Sequence, residues 1–320
     1  MSGLLLFASL VAALGWFVDS YAGLLVIGFF YGICGTSFAI GIAQVTRWYP
    51  AHNQGLALAI FGSGNVGTVL ATLFAAKMVK GWFDGDWHPA FPIYALPLFI
   101  MAFVYYATVR NAPVPTAAKK LGQMMMVFKY NMVWVLCLFY FVTFGFFVCF
   151  SLYLAPLYKF SYGLTPTHAG YMAAIFCFIA SVTRPIGGWT SDKWGGANTL
   201  IVVFLTVIGC LALVSIFNFT GFQNMVIMTI VMVTNGFMLG VGNGAVYKLI
   251  PQSFPIKTGV VGGLVGCFGG LGGWSGPQIL GLMRDALGHD GGGFLILMVI
   301  AVAAFIFCLT KAIRHPVAID

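Results

Sequence analysis

The chain contains no glutamate. Its acidic residues are seven aspartates (Asp19, Asp84, Asp86, Asp192, Asp285, Asp290 and Asp320), all near the ends of apolar stretches or between them. Charge of either sign is scarce: 7% of the 320 residues are charged and 61% are apolar, against about 25% charged in soluble domains. That excludes an ordinary soluble domain, and most of this apolar surface must face lipid or neighbouring helices. Cysteine pairing is also missing. The seven cysteines (Cys34, Cys137, Cys149, Cys177, Cys210, Cys267 and Cys308) lie in apolar stretches without a CxxC, so they read as buried, inert thiols. The five histidines (His52, His88, His168, His289 and His315) fall in loops or at segment ends, so neither a metal site nor a cofactor is expected. No nucleophile–base set is legible, which argues against an enzyme. The net charge of +8 would suggest nucleic acid in a soluble chain. Here it follows from the charge bias of membrane loops, and no nucleic-acid partner is expected.

What is present is a series of long apolar runs, with a mean hydropathy of +0.98. Ten can be read, near 3–18, 22–46, 55–79, 90–109, 132–156, 168–190, 198–217, 224–248, 258–282 and 292–313. Each is close to the roughly 20 residues that cross ~30 Å of hydrocarbon as a helix. The first is short and lacks a preceding Lys or Arg, so it reads as a retained helix rather than a signal peptide. The expectation is an all-α polytopic protein of the cell membrane.

Placing both termini in the cytoplasm puts Arg47, Arg110, Lys119, Lys120, Lys129, Lys193, Lys248, Lys257, Lys311 and Arg314 inside. Only Lys77, Lys80, Lys159 and Arg284 then lie outside, the asymmetry that the positive-inside rule demands. The polar linker 111–131 falls on the inner side. It separates four helices (1–110) from six (132–320).

Two features stand out within the apolar runs. Arg184 lies inside the stretch His168–Trp189, where a charge is costly and usually faces a wet cavity or a partner. No carboxylate is available within the runs, which suggests that the counter-ion is the cargo, an anion. The position is also about five residues from the helix end, so a side chain snorkelling to the interface is the alternative. The second feature is a pair of glycine-rich helices, each next to last in its bundle. Gly62, Gly64 and Gly67 formally spell GxGxxG, with Asp84 about twenty residues on, but the dinucleotide motif needs a preceding strand and a soluble βαβ unit. Close helix packing is the expected role of these glycines and of Gly259, Gly262, Gly263, Gly266, Gly269, Gly270 and Gly273. Asn65 lies mid-helix, placed either to bond across to another helix or to donate its NH₂ to a bound anion.

Three segments carry a resemblance: FGSGNVG at 61–67, FGGLGGWSGP at 268–277 and TRPIGGWTSDKWGG at 183–196. The chain resembles the nitrate/nitrite porter family of the major facilitator superfamily from that family's third helix to its twelfth. The resemblance implies two helix bundles, here four plus six, with the first two helices and their arginine missing and the chain truncated at its N-terminus. It implies a substrate site of Arg184, Asn65, Tyr140, Phe38 and Phe144. Tyr140 and Phe144 are spaced i, i+4, on one helix face. The glycine signatures would comprise Gly62, Gly64 and Gly67 with Gly269, Gly270, Gly272 and Gly273, and the cytoplasmic loop motif Gly188, Asp192 and Lys193. The implied activity is transport of nitrate and nitrite by a monomer. Exchange ranks above proton symport because no Asp, Glu or His is visible in the apolar runs to relay a proton. Another major-facilitator anion carrier and a non-transporting remnant are the competing readings.

Overall fold

The computed structural model describes residues 1–110 and 126–309. Most of the linker expected at 111–131, with Lys119 and Lys120, lies outside the described residues, as do Lys311 and Arg314. Among the described residues every regular element is helical, as lipid requires, because only a helix satisfies its backbone groups within one segment. Ten long helices match the ten apolar runs. They are α1 (Ser2–Phe17), α2 (Tyr21–Trp48), α3 (54–81), α4 (Ala90–Thr108), α5 (Asn131–Tyr162), α6 (Pro166–Trp194), α7 (Gly196–Thr220), α8 (Met225–Ser253), α9 (Thr258–Leu287) and α10 (Gly291–Cys308). Eight meet the length and hydropathy expected of a membrane span, while α1 is shorter. The remaining helix, α9, is 30 residues long but rich in glycine.

Local chemistry sets the boundaries. Ser20, Thr165 and Asn224 cap the helices that follow them, their side chains accepting from Gly23 N, His168 N, and Val226 and Ile227 N. Gly163, Gly221 and Gly288 end α5, α7 and α9 in the left-handed conformation, with φ of +67°, +69° and +75°, which costs glycine nothing. The helices run past the apolar stretches, so Asp192 falls in the last turn of α6 and Lys248 lies within α8 rather than in a loop.

Four helices precede the linker and six follow it. In the first group α1 packs on α4 and α2, and Ser9 Oγ donates to Ala95 O at 2.9 Å. In the second, α7 lies against α8 and α10, and α5 against α6 and α9. The two groups meet where α3 crosses α6 and α8, and where α9 lies along α2. The α3–α6 crossing depends on missing side chains: an added Cβ on Gly188 would stand 2.3 Å from Gly55 O. No residue but glycine fits there.

Candidate functional site

The helix α6 is broken at Thr183. Its first half is Pro166–Val182 and its second Arg184–Trp194, because Pro185 has no N–H to continue the ladder. Thr183 Oγ1 lies 2.9 Å from Ile179 O and 3.2 Å from Phe237 O, which ties the break to α8. Arg184 therefore begins a new helix with its side chain turned between the bundles. It is 1% exposed, so it does not snorkel.

The partners of Arg184 come mainly from α3. Its Nη1 donates to Gly62 O at 2.9 Å. At that level α3 passes through a 3₁₀ turn, Ser63–Asn65, and Val66 N–H bonds to Ser63 O and Gly64 O. The Gly62 carbonyl thus keeps a lone pair for the guanidinium. With its amide oxygen turned inward, Asn65 accepts from Nη2 at 2.7 Å and Nη1 at 3.2 Å, which leaves its NH₂ free to donate elsewhere. The Phe144 and Phe147 rings lie 5.4 and 5.7 Å from the guanidinium carbon, in cation–π range. Among the described residues no carboxylate lies within 4.0 Å of Arg184. An uncompensated buried charge carries a penalty of several kcal/mol as an order of magnitude.

Above the guanidinium is an aromatic shell. In α5 a π-helical turn, Phe141–Gly145, follows Tyr140, the kind of local irregularity often found at functional sites. Tyr140 and Phe144 stack with centroids 4.9 Å apart and planes 5° apart. Gly269 on α9 makes room for both, since an added Cβ would meet Tyr140 Cδ1 at 2.5 Å and Phe144 Cδ1 at 2.8 Å. From the first group, Phe38 stacks on Phe61 at 5.4 Å. Phe38, Asn65, Tyr140 and Phe144 line a cavity of about 700 Å³ together with Gly262 and Gly270. The Arg184 guanidinium lies one side-chain layer behind this lining. All five site residues expected from the sequence are thus within one neighbourhood.

One residue that sequence reasoning did not single out completes it. Tyr247 on α8 is T-shaped to both Phe38 (5.1 Å, 87°) and Tyr140 (4.9 Å, 86°). The hydroxyls of Tyr140 and Tyr247 and the Nε of Arg184 are all buried and bond to no carbonyl or carboxylate, with one another as polar neighbours. Such groups call for an explanation, since nearly all buried polar atoms are paired. The only sequence signal for Tyr247 was a phenol within a mostly apolar run.

The glycines divide by role. Gly259 and Gly263 face Ala43 and Ala39 of α2, Gly272 meets Gly145, and Gly273 meets Val148; these pack as expected. Gly64, Gly67 and Gly270 do not, since nothing lies within 4 Å of an added Cβ at any of them. Gly270 instead lines the cavity. The cysteine expectation also needs correction: Cys267 is exposed and lines the same cavity, beside Gly263, Gly266 and Gly270, whose missing side chains leave the wall open.

At the end of α6 the loop motif forms a latch. Asp192 Oδ1 is 2.5 Å from Lys248 Nζ. The same carboxylate accepts from Gly55 N at 3.2 Å and Leu56 N at 2.9 Å, at the N-terminus of α3 where the helix dipole favours negative charge. Gly188 provides the close crossing beside it. Lys193 takes no part: it is exposed, with Nζ 4.2 Å from the Trp189 ring centre.

Comparison with known proteins bears on the family and the fold. The profile of the Major Facilitator Superfamily matches residues 1–277. The nitrite extrusion protein of Bacillus subtilis (strain 168) is 33% identical over 295 residues, covering 91% of this chain and 72% of the relative. A Thermus thermophilus protein named "Probable nitrate/nitrite antiporter NarK1" is 32% identical over 328 residues, covering 95% of this chain and 74% of the relative. Among solved structures, the Escherichia coli fucose:proton symporter FucP superposes with a TM-score of 0.70 at 14% identity, covering 96% of this chain and 83% of that one. The human organic anion transporter MFSD10 gives a TM-score of 0.66 at 13% identity, covering 96% and 76%. At such identities the structural likeness speaks for the fold alone.

Proposed function

The chain belongs to the nitrate/nitrite porter family of the Major Facilitator Superfamily, and on that premise we propose that it carries nitrate and nitrite across the cell membrane by exchanging one for the other. The observation that carries the reading is the buried guanidinium of Arg184, without a carboxylate within ion-pair distance among the described residues. A small anion would supply the missing charge. The donors facing it would be Arg184, the free NH₂ of Asn65 and the Tyr140 hydroxyl, with Phe38 and Phe144 enclosing its apolar faces. Such a pocket suits a weakly hydrated, planar anion, which gains from aromatic walls and loses little water.

Exchange follows from the electrostatics. Turning the site from one side of the membrane to the other moves an uncompensated positive charge past low-dielectric walls, which is unfavourable unless an anion travels with it. Segments 1–110 and 132–320 would rock as two bundles about the site, with the linker and both termini on the cytoplasmic side and the monomer as the working unit. The nitrite-extrusion and antiporter names of the two relatives support the same reading.

Counterflow in proteoliposomes tests it. Uptake of labelled nitrate should require internal nitrate or nitrite and should ignore an imposed proton gradient. Uptake into empty vesicles driven by that gradient would replace exchange with symport. Transport of bulky carboxylates in preference to nitrate would overturn the substrate assignment.

A further inference from the structure

We propose that Tyr247 is a further substrate-binding residue, one that donates its phenolic hydroxyl to the anion from α8 while its ring joins the two bundles. The inference rests on the nitrate/nitrite reading and adds to it a residue and an element that the sequence motifs do not include.

The first observation is position. Tyr247 touches an aromatic from each bundle edge-to-face, Phe38 on α2 and Tyr140 on α5. Each of these rings is stacked on another, Phe61 and Phe144 respectively. Tyr247 is therefore the ring that links the two stacked pairs across the interface.

The second observation is its hydroxyl. The residue is 3% exposed, and its Oη bonds to no carbonyl or carboxylate; its polar neighbour is the Tyr140 hydroxyl. Burying a phenol this way is costly unless something completes it. If packing alone had set this position, phenylalanine would make the same ring contacts without that cost. The polar atom therefore points to a ligand.

The third observation is what lies around that hydroxyl. Tyr140 and Arg184 are its electrostatic neighbours, and both also hold buried donors bonded to no carbonyl or carboxylate. On the cavity side is Gly266, where an added Cβ would lie 3.7 Å from Tyr247 Oη. Glycine at that position keeps the space before the hydroxyl open toward the cavity. Two neighbouring phenols and one guanidinium nitrogen, none of them bonded to a carbonyl or carboxylate, match the acceptor-only surface of a small oxyanion.

The test uses Tyr247→Phe in the purified chain, with nitrate and nitrite binding measured by calorimetry and by anion-dependent thermal shift. A hydrogen bond to a charged group is lost while the ring contacts stay. The dissociation constants should therefore rise on the order of ten- to a hundredfold. The anion-free melting temperature should hold or increase, because a buried hydroxyl has been removed. Gly266→Ala, which keeps the hydroxyl but crowds its approach, should weaken binding in the same direction. Binding by Tyr247→Phe within twofold of wild type would overturn the proposal, and so would a fall in the anion-free melting temperature with no smaller anion shift. A wild-type chain that binds neither anion would instead overturn the functional reading beneath it.

Discussion

Asp192 and Lys248 form a 2.5 Å ion pair within the second group of helices, and through the same carboxylate Asp192 holds the N-terminus of α3 in the first. One side chain thus joins a buried lysine, a helix dipole and the seam between the bundles. Removing one member of a buried ion pair is strongly destabilising, by about 3–5 kcal/mol. Asp192→Asn should accordingly shift the population away from this closed arrangement. Cys267, exposed in the central cavity, reports the shift. Its labelling by a membrane-impermeant maleimide, added on the side that bears Asp192, should speed up several-fold in a variant retaining only this cysteine. Asp192→Asn combined with Lys248→Met removes the lysine charge as well and should recover part of the stability. Unchanged labelling in Asp192→Asn would show that the pair does not hold the bundles together.

Arg184 engages Gly62 O and, with the amide turned inward, Asn65 through its fork of terminal nitrogens. Lysine keeps the charge but cannot make that set of bonds at once. Arg184→Lys should weaken nitrate binding by at least about tenfold, the scale of one charge-assisted hydrogen bond. Arg184→Met should abolish it. Nitrate-dependent thermal shifts on the folded variants measure both, and normal binding by Arg184→Lys would remove Arg184 from the site.

The two neighbouring glycines of α9 should respond unequally to a methyl group. At Gly269 an added Cβ would press on Tyr140 and Phe144 at 2.5 and 2.8 Å, whereas at Gly270 it would meet nothing within 4 Å. Gly269→Ala should destabilise by about 1–3 kcal/mol through overpacking and should disturb substrate binding by moving the stacked rings. Gly270→Ala should stay within about 0.5 kcal/mol. Denaturation of both variants in the same detergent provides the comparison.

Outside the membrane, the loop between α3 and α4 is sensitive to pH. His88 Nδ1 lies 2.6 Å from Asp86 Oδ1 and Nε2 lies 3.2 Å from Asp19 Oδ1. The hydrogen bond to Asp86 raises the His88 pKa above its ordinary 6.5. Bonds from His88 lower that of Asp86 below its ordinary 3.8. The raised histidine favours this loop conformation at pH below 6.5, and the effect is lost as pH rises through the raised value. The lowered aspartate contributes above 3.8 and loses its effect as pH falls through the lowered value. The loop should therefore be best held in mildly acid solution and looser above neutrality. An NMR titration of the His88 ring, with His88→Gln as control, tests this, and an ordinary midpoint would refute it.

Much of the molecule was legible before any coordinates. Hydropathy alone pointed to a helical membrane protein with ten apolar runs, and ten long helices form over them among the described residues, eight of them long and apolar enough to span, because lipid leaves the backbone no alternative to the helix. Scarcity of carboxylates singled out Arg184, and the family resemblance pointed to Asn65, Tyr140, Phe38 and Phe144, which the fold brings to one cavity. Periodicity could not tell which glycines pack and which stand in open space, since that depends on the neighbouring helix. It could not show that Lys248, read as an inner-side charge at the end of its apolar run, is buried against Asp192, because the pairing joins residues 56 positions apart on two helices. Nor could it distinguish Tyr247 from the other twelve tyrosines. A phenol becomes a candidate ligand donor only when folding buries it beside Tyr140 and Arg184 with no carbonyl or carboxylate bonded to it. Composition fixed the solvent and the elements, and the crossings of α3, α6, α8 and α9 decided which polar atoms were left facing one another.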